Sequence, residues 1–204
     1  SAVEIPDNKS MELIGSGGGT ISLGDKLTLT GDMKISAADT IQDGTLALNG
    51  GLLDVDQNIT IDSDMVHAAG SFIEIDNEMT LSYTGEVLNI GNLVLDISGG
   101  GTFENTKNLS IDNAGSNLSI SDNTKVSRVL VSASGTGNGM TISDSDDSVT
   151  LVESLHLSKN LSVTSDAAWS VGSITADSAL TFSNDKDLKI GSLSLTGNAK
   201  MSLG

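Results

Sequence analysis

Carboxylate side chains at alternate positions are the residues of this chain that come nearest to a recognisable chemistry. Asp54, Asp56 and Asn58 have the spacing with which the calcium loop of an EF-hand begins. That loop requires glycine at its sixth position and glutamate at its twelfth, but Ile59 and Met65 stand there. We therefore reject a calcium loop and interpret the acids as outward-facing residues of strands.

A denser group of acids is formed by Asp144, Asp146 and Asp147. Carboxylates in one loop can attract calcium weakly, but a charge run of this kind is more commonly a solvated turn. The sequence also lacks the repeated Gly-Gly-x-Gly-x-Asp series of calcium-stapled rolls. We predict no metal site and no cofactor, and weak surface calcium binding is the alternative left open.

The elements that position these side chains are short apolar-polar-apolar triplets, which recur along almost the whole chain. In a strand, the outer two side chains of a triplet point to one side and the middle one to the other. No stretch has a persuasive helical period. The triplets lie at residues 21–23, 27–29, 46–48, 53–55, 59–61, 73–75, 79–81, 93–95, 109–111, 118–120, 140–142, 161–163, 180–182, 188–190 and 193–195.

The intervals between the triplets are rich in glycine, asparagine, aspartate and serine, which suit sharp corners. Strands this short pair poorly as hairpins, whereas stacked coils let each triplet pair in parallel with its counterpart. Glycine-led openings recur at Gly19, Gly44, Gly70 and Gly101, and the first two intervals between them are nearly equal. We therefore predict an all-β fold, a right-handed parallel β-helix with three short strands per coil and coils of roughly 25 residues.

The composition agrees with a narrow aliphatic core and an acidic surface. Aromatic residues make up 2% of the 204 residues, cysteine is absent and the formal net charge is −17. This charge repels nucleic acid and anionic lipid, and the missing thiols exclude disulfides. The sequence contains neither a membrane-spanning apolar run nor a signal-peptide pattern. We predict no nucleic-acid partner, no membrane insertion and a single β-helix segment over residues 1–204, part of a longer repetitive protein.

Four asparagines stand directly before a triplet, where a corner of the coil is expected. They are Asn58, Asn92, Asn108 and Asn160. Asparagine adopts left-handed backbone readily and hydrogen-bonds nearby main chain. Three of the four also form Asn-x-Ser/Thr acceptor sites, with Thr60, Ser110 and Ser162. We interpret them as structural corners rather than glycosylation sites, because the triplet pattern alone generates the match.

The units Asn58-Ile59-Thr60-Ile61-Asp62 and Asn108-Leu109-Ser110-Ile111-Asp112, together with Gly-Gly-Thr openings, carry a resemblance. The chain resembles the β-helical shafts of large bacterial surface adhesins, such as filamentous haemagglutinin-like proteins and autotransporter passenger domains. The resemblance implies a secreted or cell-surface rod that acts as a stiff spacer. It also implies contact with a host or neighbour cell surface, a glycan or a matrix protein, and with neighbouring coils of the same protein.

An enzyme is the less favoured alternative. Pectate-lyase-like enzymes share the fold and use calcium, aligned acids and a cationic clamp. The basic residues are scattered, Trp169 and Tyr83 are the only large polar rings, and His67 and His156 have too many serine and aspartate neighbours for any triad to be specific. The basic residues concerned are Arg128, Lys159, Lys186 and Lys189. We predict that the chain is not an enzyme and has no catalytic residue.

Two further solenoid functions are weighed against the adhesin shaft. A cytoplasmic, bactofilin-like β-helix would polymerise end to end through uncapped coils, since exposed first and last strands would permit this. An ice-binding solenoid needs a flat array of outward threonines, whereas the middle positions of these triplets mix Ser, Thr, Asp, Glu, Lys and Ala. The polymer therefore stays an alternative and ice binding is disfavoured.

Overall fold

In the computed structural model the chain consists of β-strands joined by short turns. The structure describes residues 3–6, 9–13, 20–36, 40–89, 94–107, 109–111, 117–121, 124–131, 139–143, 150–157, 160–165, 168–184 and 187–203. Within these ranges no helix is long and apolar enough to cross a membrane. In chain order the strands are β1 (Val3–Ile5), β2 (Ser10–Leu13), β3 (Thr20–Ser22), β4 (Lys26–Leu29), β5 (Asp32–Ile35), β6 (Thr40–Gln42), β7 (Thr45–Leu48), β8 (Leu52–Val55), β9 (Ile59–Ile61), β10 (Asp64–His67), β11 (Ser71–Ile75), β12 (Thr80–Tyr83), β13 (Leu88–Asn89), β14 (Val94–Ser98), β15 (Thr102–Asn105), β16 (Leu109–Ile111), β17 (Asn117–Ser121), β18 (Lys125–Val131), β19 (Gly139–Ser143), β20 (Thr150–Leu157), β21 (Leu161–Ser165), β22 (Trp169–Ala176), β23 (Leu180–Asn184), β24 (Leu188–Leu195) and β25 (Met201–Leu203).

The strands stack into three sheets in which every described pair is parallel. Sheet A contains four strands in the order β1-β4-β7-β10, and sheet B contains ten in the order β2-β5-β8-β11-β14-β17-β19-β21-β23-β25. Sheet C contains the remaining eleven, with β13 and β16 beside its main path. Each strand pairs with its counterpart one coil later, so the chain is a parallel β-solenoid. This confirms the predicted all-β class and parallel stacking. The right hand was predicted because the expected coil is longer than the hexapeptide-based coil of left-handed solenoids, and it stays a prediction.

The coils are shorter than the sequence indicated. In sheet B, Met33 pairs with Leu53 and Leu53 with Ile73, so one coil there takes roughly 20 residues. The predicted coil is too long because the glycine-led openings stand on different sheets. Thr20 lies in sheet C and Thr45 in sheet A, so the interval between them spans one coil and one further face.

The cross-section of the solenoid changes along its length. Up to β17, the chain passes through three separate short strands in each coil. From β18 onward one strand replaces two, since β18 pairs with both β15 and β16. The eight-residue strands β20, β22 and β24 bend at Glu153, Gly172 and Gly191, where the pairing register skips a residue. A Cβ on Gly172 would stand 2.6 Å from the carbonyl oxygen of Glu153, so the bend requires glycine there.

Inward side chains form aliphatic ladders that run along the core. In sheet B one ladder contains Leu95, Leu118, Met140, Val163 and Phe182, each almost completely buried. Medium-sized side chains fill a narrow interior at close packing, so few rings are needed. The triplet pattern predicted this arrangement correctly.

Asparagine amides close corners by bonding the next coil. The Oδ1 atom of Asn58 accepts a hydrogen bond from the backbone nitrogen of Thr80 at 2.8 Å. The Oδ1 atom of Asn160 accepts one from Ala179 at 3.0 Å. Both residues therefore have the structural role that was predicted, whereas Asn92 and Asn108 lie outside the described residues. Glycosylation at Asn58 and Asn160 stays untested.

Candidate functional site, an acidic cluster on sheet B

The acids that were weighed as calcium ligands lie on the outer surface of sheet B. Asp54 is an outward residue of β8, and the pairing register places it between Lys34 of β5 and Glu74 of β11. Asp56 follows the same strand and Asp76 follows β11. Asn58, by contrast, belongs to a corner and takes no part in this group. Asp54 and Asp56 thus point outward as predicted, but their neighbours come from adjacent coils.

Three carboxylates and one ammonium group form the cluster. One oxygen each from Asp54, Asp56 and Asp76 lie within 4.8 Å of one another. The Nζ atom of Lys34 lies 3.6 Å from Oδ2 of Asp54 and forms a closer ion pair with Asp56. Asp54 and Asp56 are half-buried, whereas Asp76 is exposed. The cluster therefore joins three successive coils on one face.

The pKa values of the two inner carboxyl groups, Asp54 and Asp56, are shifted in opposite directions. Partial burial raises the pKa of Asp54 to about 6, and the hydrogen bond with Asp56 and the negative charge of that residue act in the same direction. The hydrogen bond from Lys34 lowers the pKa of Asp56 below its ordinary value. The same contact raises the pKa of Lys34. Near pH 6 the pair therefore carries less than two negative charges.

The arrangement suits an ion-pair network better than a metal centre. Calcium takes six to eight oxygen ligands, and the cluster offers three carboxylates around a lysine. The ammonium group of Lys34 already forms ion pairs with both inner acids, so a cation would have to compete with it. The prediction of no metal site, and the open alternative of weak surface calcium binding, both stay untested. The other acids considered, Asp144, Asp146 and Asp147, lie outside the described residues.

Sequence reasoning missed Asp76 and Lys34 as members of this group. A signal was present, since Lys34, Asp54 and Glu74 follow one another at equal intervals of one coil, as do Asp56 and Asp76. The incorrect coil length hid this register. The shorter coil, read from the triplets, would have placed these residues side by side.

The two large polar rings lie in the core. Trp169 is 0% exposed and packs against Phe182 with ring centroids 5.7 Å apart. Tyr83 is 2% exposed, and its hydroxyl oxygen accepts a hydrogen bond from the backbone nitrogen of Met65 at 3.0 Å. Neither ring can therefore stack on a sugar at the surface.

The two histidines occupy separate coils. His67 ends β10, where burial from water lowers its pKa. Its Nδ1 atom is 3.4 Å from the carbonyl oxygen of Ala68. His156 is an exposed residue of β20. The structure does not bring these rings together.

The scattered basic residues form no clamp in the part of the chain that the structure describes. Lys189 is exposed on β24, and Arg128 lies in β18 without a described side chain. Lys159 and Lys186 lie outside the described residues. The predictions that the chain has no catalytic residue and is not an enzyme stay untested.

A shallow groove on sheet A was not anticipated from the sequence. It has a volume of about 220 Å³ and is open to solvent. Its lining includes the buried residues Ala47 and Leu48 and the polar residues Lys26, Asn49 and His67. The small side chain of Ala47 between Thr28 and Val66 creates the depression.

Comparison with known proteins identifies no relative: no family model matches the chain, and no curated protein or solved structure matches it significantly. The functional argument therefore depends on the solenoid itself.

Proposed function

We propose that this chain is a structural and adhesive module, a β-helical shaft of a secreted or cell-surface bacterial protein. The observation that supports this best is sheet B, whose ten strands follow one another in register from β2 to β25. At about 4.8 Å per strand, such a sheet extends about 45 Å along the axis. The module would act as a stiff spacer that also offers a contact surface.

Stiffness follows from the way in which successive coils contact each other. Every inner coil pairs with one coil on each side, and aliphatic ladders fill the interior between them. In a solenoid, stability is therefore a sum of similar contacts between neighbours, which allows length to be added without a larger core. This property suits a spacer.

The surface suits contact in an aqueous, extracellular setting. A net charge of −17 keeps copies apart and disfavours nucleic acid and anionic membranes as partners. The partner class that we propose is a host or neighbour cell surface, a glycan or a matrix protein. Outer coils of the same protein are expected to stack on these coils.

A cytoplasmic, polymer-forming β-helix is the second candidate. On the last described coil, Leu193, Leu195 and Leu203 are 43%, 41% and 68% exposed, and either a further coil of the same protein or a coil of another copy would cover them. Their counterparts one coil earlier, such as Ile174 and Phe182, are buried. A parallel strand added to β24 from another copy would cover these leucines.

Location and assembly state together separate the two functions. We would label intact, unpermeabilised cells with an antibody against the chain and image the purified protein by electron microscopy. Surface labelling and single rods would support the shaft. Labelling only after permeabilisation, together with filaments that lengthen with protein concentration, would reject the shaft in favour of the polymer.

A further inference from the structure

The corner between β7 and β8 contains the dipeptide Asn49-Gly50, and both of its residues are exposed. Asparagine is a chemically labile residue, above all before glycine, which has no side chain to shield its backbone nitrogen. The same dipeptide occurs once more in the sequence, at Asn138-Gly139, where the asparagine lies outside the described residues. The corner is therefore a place where the chain can modify itself.

The modification is deamidation, and its only co-reactant is water. The backbone nitrogen of Gly50 loses its proton and attacks the side-chain carbonyl carbon of Asn49. The new bond closes a succinimide ring, while the side-chain amide group takes up a proton and leaves as ammonia. Water then opens the ring at either carbonyl group and gives aspartate or isoaspartate. In isoaspartate the main chain passes through the former side chain and is longer by a methylene group.

In the folded chain the attacking nitrogen is engaged in a hydrogen bond. The backbone nitrogen of Gly50 donates to Oγ of Ser71 at 3.2 Å. Ser71 is 0% exposed, and its Oγ atom lies 2.6 Å from the carbonyl oxygen of Leu48 and 2.7 Å from that of Ala68, between which it shares its proton. A hydroxyl group has a single proton to donate, so the bonding capacity of Ser71 is directed to this corner.

The corner has no room for the longer main chain of the product. The backbone nitrogen of Asn49 donates to the carbonyl oxygen of Leu29 at 2.7 Å, which holds the corner against the preceding coil. A Cβ on Gly51 would collide with the carbonyl oxygen of Gly31, so the two coils touch through their backbones there. Isoaspartate formed from Asn49 would therefore break the contact between these coils.

We propose that Asn49-Gly50 is a modification site that the folded solenoid keeps closed through Ser71. Ser71 is a positioning residue, because the Gly50 nitrogen has to leave the Ser71 hydroxyl group before it can attack Asn49. Ser71 begins β11, one coil after Asn49, so the site opens when these two coils separate. Isoaspartate then prevents the corner from closing again. The inference is independent of the proposed function.

The test is incubation of the folded 204-residue chain at mildly alkaline pH, which favours loss of the amide proton. Peptide mass spectrometry measures the conversion of Asn49 and of Asn138 separately, and the same chain in urea gives the rates of the unfolded state. We expect Asn49 to react at least about tenfold more slowly in the folded chain than in urea, because the attack requires local opening.

The variant Ser71→Ala removes the acceptor of the Gly50 amide. We expect the rate at Asn49 in the folded variant to rise about three- to tenfold, as the net strength of one hydrogen bond predicts, while the rate at Asn138 stays unchanged. The matched control is Ser63→Ala. Ser63 is 1% exposed and donates to the carbonyl oxygen of Asp43 at 2.6 Å, so the control loses a comparable hydrogen bond at another corner. Its rate at Asn49 should equal that of the unmodified chain.

Two results would overturn the proposal. In one, Asn49 of the unmodified chain reacts as fast when folded as in urea. In the other, Ser71→Ala and Ser63→Ala raise the rate at Asn49 equally, so that Ser71 only adds general stability. Circular dichroism shows whether each variant is folded. If Ser71→Ala is not, hydrogen exchange of the Gly50 amide in the unmodified chain decides: slow exchange supports the proposal, and exchange at the rate of an unprotected amide rejects it.

Discussion

The hydroxyl group of Tyr83 lies inside the solenoid and accepts a hydrogen bond from the backbone nitrogen of Met65 at 3.0 Å. Met65 belongs to β10, the last strand of sheet A, so its amide has no following strand of that sheet to pair with. The Tyr83 side chain, from β12 of sheet C, thus supplies the hydrogen-bond acceptor that a further strand of sheet A would have provided. Such satisfaction of a buried amide is worth more than the hydrogen bond alone, since an unpaired amide in the core is costly.

Removal of that hydroxyl should destabilise the chain without changing its shape. We expect Tyr83→Phe to lower the free energy of unfolding by about 1–3 kcal/mol, because the Met65 amide would be left unsatisfied. Denaturant titration followed by circular dichroism measures the change. The matched control is Ser82→Ala on the outer side of β12, where a loss well below about 1 kcal/mol is expected. Equal losses would contradict the role given to Tyr83.

Inward and outward positions of one triplet should respond differently to the same charge. Ile61 is 0% exposed, so Ile61→Asp should cost more than about 4 kcal/mol and unravel neighbouring coils. Ile111→Asp should behave alike, since Ile111 is also 0% exposed. Thr60→Asp puts the charge on the outer side of β9 and should do little. Thermal unfolding of the three variants compares them, and similar midpoints would reject the in/out assignment.

Asp54 should make stability depend on pH in one particular window. Its pKa is about 6 in the folded chain against an ordinary value of 3.8, so between these values the folded chain holds more protons. The contribution of Asp54 to stability therefore falls as the pH rises through this window. We expect Asp54→Asn to remove this fall, so that the variant gains thermal stability relative to the unmodified chain as the pH rises from about 4 to about 7.

The control for that experiment is Asp96→Asn, which removes a carboxylate from the same sheet outside the cluster. Asp56 acts in the opposite direction at lower pH, because Lys34 lowers its pKa. A difference in midpoint between Asp54→Asn and the unmodified chain that stays constant over the window would argue against the altered titration of Asp54.

Lys34 should determine how well the acidic cluster attracts calcium. Its ammonium group contacts both Asp54 and Asp56, so Lys34→Gln would leave the cluster with uncompensated negative charge. We expect weak calcium binding to strengthen several-fold in this variant, measured by isothermal titration calorimetry. Lys26→Gln, on sheet A, is the control for loss of one positive charge. Unchanged affinity in Lys34→Gln would show that the cluster is not where calcium binds.

The alternation of apolar and polar residues within each triplet predicted which side chains face the core. Which residues of successive coils lie side by side could be learned only from the structure. The triplets correctly place Ile61 and Ile111 inside and Thr60 outside, because side-chain direction along a strand has a period of two. Tyr83 and Trp169 belong to none of the triplets identified in the sequence analysis. The alternation in Leu81-Ser82-Tyr83 and Trp169-Ser170-Val171 was nevertheless a signal for their burial. The contact between Asp56 and Asp76 depends instead on the number of residues in a coil. The glycine-led openings before Thr20 and Thr45 look alike but lie on different sheets, so their spacing overestimates the length of one coil.

Because one long strand replaces two short ones from β18 onward, the two ends of the rod differ in how their coils pair. Coils that contain eight-residue strands pair with their neighbours along a longer continuous hydrogen-bonded edge than coils with strands of three or four residues. When the rod is pulled along its axis, we expect coils to unfold one after another, each at a force that depends on the length of its hydrogen-bonded edge with the next coil. The end near β3 should therefore peel before the end near β22. An anchor and a load placed at opposite ends of this chain would meet unequal mechanical resistance.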